Sequence, residues 1–199
     1  MKPAAIEKAR ARLRNAKRAI ADIEKCTDYH EFTDLWYTFL TSNKAIYTAL
    51  NKGAKNNPQS RQWMGGKARQ RKEDQLLQYL FQARDDDEHG LNQVTERKPG
   101  HLAIGKAAPG FSKSFHIKSL IIEDGKVSGE VESMDNKPVL IESTPPHPIL
   151  ATVHGRGNVS FVPPAEHLGH SLPDQSPLTV AKLAITYMES LIDEAETLS

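Results

Sequence analysis

Arg84 and His89 bracket four consecutive acids, Asp85, Asp86, Asp87 and Glu88, in a chain that offers little other chemistry. An arginine and a histidine close together suit reactions at phosphate. An imidazole titrates near pH ~6.5 and can move a proton, and a guanidinium stays charged and can grip two phosphate oxygens. Five positions on an ideal helix amount to about 140° at ~3.6 residues per turn, so one straight helix does not aim both side chains at one phosphate. Convergence requires a broken last turn or a second copy of the chain. Two further readings stay open. Asp85, Glu88 and His89 share a helix face and are ligand types for hard or transition metals, although no partner motif completes such a set. Alternatively the stretch is a capped, solvated helix end in which Arg84 and Glu88 form an i,i+4 pair, worth about 0.3–0.5 kcal/mol if exposed.

The segment leading into these residues places Leu76, Leu77, Tyr79 and Leu80 at the spacing of a buried helix face, so Arg84 and His89 fall in or just past its last turns. Gly90 has the chemistry of a left-handed cap that would stop the helix there. Four acids in a final turn then face the negative end of the helix dipole. A sequence that breaks a local rule often does so at a functional site.

Arg84, a polar residue directly after it, three more positions and His89 resemble the R-(N/D/H)-x3-H signature of the HEPN superfamily. The flanking Tyr79-Leu80-Phe81-Gln82-Ala83-Arg84 and Glu88-His89-Gly90 are similar to uncharacterised bacterial HEPN-like proteins. The likeness covers roughly the first half of the chain, with an echo in its final helix. It implies a small helical bundle and, in the nuclease branch, a metal-independent RNase, often a toxin or antiviral effector, whose two motifs face each other in a homodimer. On that basis His89 is expected as general acid or base, Arg84 as phosphate ligand and Asp85 as the residue that orients them, with no cofactor. RNA and an antitoxin protein are the expected partners. Asp85 stands where the family most often has Asn, and the further acids add negative charge where an RNA phosphate would lie.

Lys plus Arg is 26 against 25 for Asp plus Glu, so the chain as a whole has no basic excess to attract nucleic acid. The distribution is uneven. Lys8, Arg10, Arg12, Arg14, Lys17 and Arg18 crowd the first helical segment, and Lys67, Arg69, Arg71 and Lys72 crowd the third. The latter four are the expected RNA-binding residues; a solvated face with i,i+4 charge pairs is the alternative. Cys26 is the sole cysteine, which excludes an internal disulfide and fits a reducing compartment. The N-terminal segment is charged, and no stretch approaches the ~20 apolar residues needed to cross a bilayer. A cytoplasmic location without membrane association is therefore expected.

Pro3 to Cys26 carries Ile6, Ala9, Leu13, Ala16, Ile20 and Ile23 at helical spacing. Thr27 and Asp28 are N-cap types for a second helix with an aromatic and aliphatic face from Phe32 to Leu50. A loop over Gly53 to Ser60 precedes a third helix expected to run on to His89, with Gly65-Gly66 as its weak point. Beyond Gly90 the period turns to alternation. Phe115 to Val131 reads as a β-hairpin around Asp124-Gly125, and short strands follow near Val139, Ile149 and Val159. Pro145, Pro146 and Pro148 keep the neighbouring strand at an edge. Ser176 and Pro177 open a last amphipathic helix.

The expected fold is α+β: a mainly helical HEPN-like up-down bundle over residues 1–95, a small antiparallel β-meander with connector over 96–175, and a helix over 176–199 that returns to the bundle. Among the other histidines, His167 and His170 lack a thiol or carboxylate pair to complete a metal set. Glu166 is the only acid beside them, so they read as a connector. His154, Gly155 and Arg156 read as an exposed hairpin tip. The reading that follows is a HEPN-type endoribonuclease; its rival is a HEPN-like binding or structural module without chemistry.

Overall fold

The computed structural model describes the 199-residue chain except for positions 91, 92, 106, 107, 124, 125, 156, 158 and 199 and the side chains of His89 and Lys126. The chain is α+β and divides into two compact units, Met1–Glu96 with Pro148–Ser199, and Arg97–His147.

The first unit is helical. Helix α1 (Pro3–Ile23) opens with proline in its first turn, where no amide is needed, and buries Ile6, Ala9, Leu13, Ala16, Ala19, Ile20 and Ile23. Asp28 then caps α2 (Tyr29–Ala54) by accepting from the Glu31 amide at 2.9 Å. Inside α2 the rings of Phe32, Trp36 and Phe39 follow one another at centroid distances of 6.1 and 5.2 Å, a continuous aromatic seam in the core. Helices α1 and α2 run antiparallel in close contact. The Lys2 amide reaches the Gly53 carbonyl at 3.3 Å, and a Cβ at Gly53 would fall 2.3 Å from that of Ala5. Glycine is required there by the approach of the two backbones.

Asn57 caps α3 (Pro58–Glu73) through the Ser60 amide at 3.0 Å, again with proline following. The helix passes through Gly65 and Gly66 without interruption, contrary to the weak point expected there, and breaks instead at Asp74. Asp74 ends α3 and caps α4 (Gln75–His89), accepting from the Leu77 amide at 2.8 Å with its backbone extended at ψ 125°. The reason is a competition the glycines do not enter. A short acid can bond the amide of residue i+3 only from a non-helical backbone, and this one finds further donors across the fold. Its second oxygen accepts from the Leu168 amide at 2.6 Å, and His167 Nδ1 lies 3.0 Å from the first.

Strand β1 (Thr95–Lys98) leads out of this unit. In the second unit, β2 (His101–Ile104) is followed by β3 (Phe115–Glu123), β4 (Lys126–Ser133) and β5 (Ile141–Thr144), and the chain returns along β6 (His147–Leu150). Pairing is nested: β3 with β4 and β2 with β5, both antiparallel, and β1 with β6. A serial meander was expected. With β3 and β4 paired to each other, the partner of β2 is the strand after that hairpin. The Asp124-Gly125 turn lies outside the described residues; Glu123 and Lys126 pair on either side of it.

The chain re-enters the helical unit through β7 (Val153–His154) with β8 (Ser160–Phe161), and β9 (Glu166–His167) with β10 (His170–Ser171). Ser176 then caps α5 (Pro177–Glu196). Helix α5 buries Val180, Ala184, Met188, Leu191 and Ile192 in the same core as α1 and α2. Arg10 of α1 meets Asp193 at 3.1 Å and Glu196 at 2.5 Å on α5.

The His167, Leu168 and Leu77 donors outweigh the burial of Asp74 and hold its carboxyl below the usual aspartate value of 3.8. An anion favoured in the native state means that the unfolded chain takes up the proton first as pH falls. Its contribution to stability is therefore full above pH 3.8 and lost as pH drops below it. Asp74→Ala removes a cap and leaves buried donors unpaired, at an expected cost of about 2–4 kcal/mol at neutral pH. Urea unfolding at pH 7 and pH 3 should show a gap between wild type and variant that narrows in acid; a gap of the same size at both would contradict the assignment.

Candidate phosphate-binding site on α1, α2 and α4

Leu76, Leu77, Tyr79, Leu80 and Ala83 are buried, and this face fixes the roll of α4 about its axis. Arg84 follows Ala83 on the border of that face. Its side chain retains 17% exposure, and Nη1 faces the Asp85 carboxylate at 3.4 Å and pairs with Glu88 one turn on. Lys44 of α2 pairs with the same Asp85 oxygen. Arg84 Nε is buried and has no acceptor.

The acids that looked misplaced at a helix end are thus largely occupied. Asp85 and Glu88 are balanced by Lys44 and Arg84. Asp86 is buried, and its Oδ2 accepts from the His154 amide of β7 at 2.7 Å. Tyr79 Oη donates to the Ala151 carbonyl at 2.7 Å from the same helix. Together these bonds fasten α4 to the segment entering β7. Asp87 differs: burial and the neighbouring Asp86 push its carboxyl above the usual range, with Arg84 opposing. It lines a cavity of about 520 Å³ with Asp34, Trp36, Tyr37 and Thr95.

The helix ends as the Gly90 amide bonds the Asp86 carbonyl at 2.6 Å. Gly90 is extended (φ −90°, ψ 176°), so the expected left-handed cap does not form. Glycine serves space here, since a Cβ would lie 2.3 Å from Asp86 Oδ1. His89 belongs to α4 by its backbone, but its side chain lies outside the described residues. The Arg84–His89 geometry and the Asp85, Glu88, His89 metal reading therefore fall outside them as well. Among the described residues no group of three His, Cys, Asp or Glu is placed to hold a metal ion.

The expected RNA-binding residues of α3 separate into two pairs. Lys67 turns inward to Glu194 of α5, 2.7 Å away, and Arg71 lies 3.9 Å over the Phe81 ring and 5.0 Å over Tyr47. Arg69 and Lys72 are exposed. A different set of cations gathers between α1 and α2. Lys2 just before α1, Lys8 and Arg12 of α1, Lys44 and Lys52 of α2 and Arg84 of α4 line a groove of about 500 Å³ that has no carboxylate in its lining. Its floor is alanine, glycine and threonine, and Thr41 Oγ1 is buried there without a partner. The signal was present in the sequence as two i,i+4 series, Lys8 with Arg12 and Lys44 with Thr48 and Lys52. Only the knowledge that α1 and α2 face each other joins them.

The remaining candidates are structural in what they touch. His167 is held by Asp74 and packs edge-on to Tyr187. His154 Nδ1 lies 3.2 Å from Ser160 Oγ, and Arg156 is outside the described residues. Cys26 Sγ donates to the Asp28 carbonyl at 3.0 Å, and burial with Glu31 nearby pushes its thiol up, away from thiolate reactivity.

Comparison with protein-family models, with curated proteins and with solved structures gives no match to the chain.

Asp86→Ala strips the His154 amide of its acceptor and leaves α4 unfastened from β7, an expected loss of about 1–3 kcal/mol. Chemical denaturation measures it. A change within error of zero would mean that the Asp86–His154 bond does not hold this corner.

Proposed function

We propose that the protein is a metal-independent endoribonuclease of the HEPN type, acting at the Arg84-Asp85-x3-His89 motif. The observation that carries this reading is the setting of Arg84. The motif arginine lines a groove with five other cations and no carboxylate, and its Nε is buried without an acceptor. A phosphate oxygen answers both features.

In this reaction the 2′-hydroxyl of the RNA attacks the adjacent phosphorus, and the bond to the 5′-oxygen breaks, leaving a 2′,3′-cyclic phosphate. His89 takes the hydroxyl proton or supplies one to the leaving oxygen. Arg84 balances the charge that builds on the phosphorane, and Asp85, 3.4 Å from its Nη1, positions it. The cost is that Glu88 must yield its place on Arg84 to the phosphate. Five positions along α4 separate the two motif residues by about 140°, so the reading includes a homodimer in which each copy completes the other's site. A toxin or antiviral role with an antitoxin partner belongs to the same proposal and rests on the family resemblance alone.

The rival is a module that binds without chemistry. The occupied guanidinium favours it, since Arg84 already has two carboxylate partners within its own helix.

Labelled total RNA in excess chelator separates the two. Wild type should cleave it to 2′,3′-cyclic ends, and His89→Ala and Arg84→Ala should each lose about 100-fold or more in rate at unchanged fold and oligomeric state. Undiminished cleavage by His89→Ala, or none by wild type, would rule out the nuclease reading.

A further inference from the structure

The groove between α1 and α2 is more extended than one phosphate requires. The antiparallel contact of Lys2 with Gly53 fixes which residues face each other. At one end stand Lys2 and Lys52, next along comes Lys8, and at the other end Arg12 and Lys44 meet Arg84. Residues four apart on a helix rise by about 6 Å, so the cations from Lys44 to Lys52 cover about 12 Å. Among the described residues, Lys2, Lys8, Arg12 and Lys52 make no ion pair, in contrast to Arg10 and Lys17 on the other side of α1, which bind α5. Beside this row the Thr41 hydroxyl and Arg84 Nε are buried without acceptors, and an oxyanion in the groove would supply them while meeting the solvated cations along its length.

We infer that this groove is a phosphodiester-backbone site that guides an RNA strand along α1 and α2 to Arg84. The choice of RNA as the strand rests on the nuclease reading above; the phosphate-run chemistry stands on the groove. A single compact anion would satisfy one end and leave the other uncompensated. Acyl chains have no place in the lining, whose only wholly apolar side chains are alanines. No aromatic side chain lines it either, and strands that are bound by their bases need such stacking platforms. Recognition is therefore of backbone charge, independent of base sequence, with the strand's direction set by the approach to Arg84. The alanine and glycine floor lets the backbone lie low between the lysines, and the exposed Lys8 and Lys52 are free to close over it.

Fluorescence anisotropy with a labelled 2′-O-methyl RNA dodecamer tests this, because the blocked hydroxyl keeps binding separate from cleavage. The double variant Lys8→Ala/Lys52→Ala changes exposed side chains and should keep the wild-type unfolding midpoint. It should bind about tenfold or more weakly, and the slope of log affinity against log salt should fall by about 1.4, two contacts at ~0.7 each on a single strand. The exposed pair on α3, Arg69→Ala/Lys72→Ala, should leave the slope within about 0.3 of wild type. Scrambling the base sequence should change affinity less than about twofold. Equal losses from both double variants would overturn the groove assignment. Inorganic polyphosphate of matched charge that binds more tightly than the oligonucleotide, with the same dependence on Lys8 and Lys52, would overturn the RNA strand as its occupant. If wild type binds the dodecamer in the groove but cuts no RNA, the nuclease reading fails and the groove stands. Cleavage of RNA that is unaffected by Lys8→Ala/Lys52→Ala has the opposite meaning.

Discussion

The carboxylate of Asp74 decides where α4 begins, and the motif residues inherit their direction from that choice. It caps α4 through Leu77 and draws His167 and Leu168 onto the same two oxygens. One side chain thus ends α3, starts α4 and ties down the connector that leads to α5. Each residue added to a helix turns the next side chain by about 100°. A start displaced by one position would carry Arg84 off the border of the buried face, either into the core beside Ala83 or away from α2. The cap and the apolar face agree on one roll of the helix, and Arg84 reaches the groove as a result.

The same geometry accounts for the acids. A helix C-terminus repels carboxylates, by roughly 0.3–1 kcal/mol each where exposed. Here Asp85, Asp86 and Glu88 each meet a donor, from Lys44, the His154 amide and Arg84 respectively. What looks like a misplaced charge run is therefore three separate attachments, one to α2, one to β7 and one within α4. Asp87 differs in that burial, and after it the neighbouring Asp86, raise its carboxyl, with Arg84 opposing. Since Asp85 contacts both Lys44 and Arg84, a change at that residue alters two cations of the groove at once.

Much of the helical layer was legible in the residues. Asp28, Ser176 and Pro177 stand where caps and first-turn residues belong, and Leu76, Leu77, Tyr79 and Leu80 are buried as their spacing requires. Local chemistry settles such features, so sequence reveals them. The break at Asp74 was hidden because its reward comes from His167 and Leu168, more than ninety positions away. Gly65-Gly66 drew attention as the local weak point, yet flanking helix formers carry α3 through it. Gly90 is needed for the room beside Asp86 and not for a left-handed turn, a distinction only tertiary neighbours make. Nested strand pairing is a choice among partners far apart in the chain, and alternation of residue types does not encode it. Around the groove, Arg84 stood out in the sequence and lines it. Lys44 and Lys52 did not stand out, since they sit in a helix read as a source of core.

Composition also concealed the groove for an electrostatic reason. A net charge of +1 over 199 residues describes the far field, and a ligand at the surface responds to charge within a Debye length of about 8–10 Å. On the opposite side of α1 the acids of α5 bind Arg10 and Lys17. Helix α1 thus spends one row of cations on packing and leaves another unspent. The close approach at Gly53 and Ala5 brings that free row against the lysines of α2. Had the helices been held apart by larger side chains, the two rows would lie on separate surfaces, each screened by water and too sparse to hold a run of phosphates. The small residues at the α1–α2 contact are therefore as much a part of the groove as the lysines that line it.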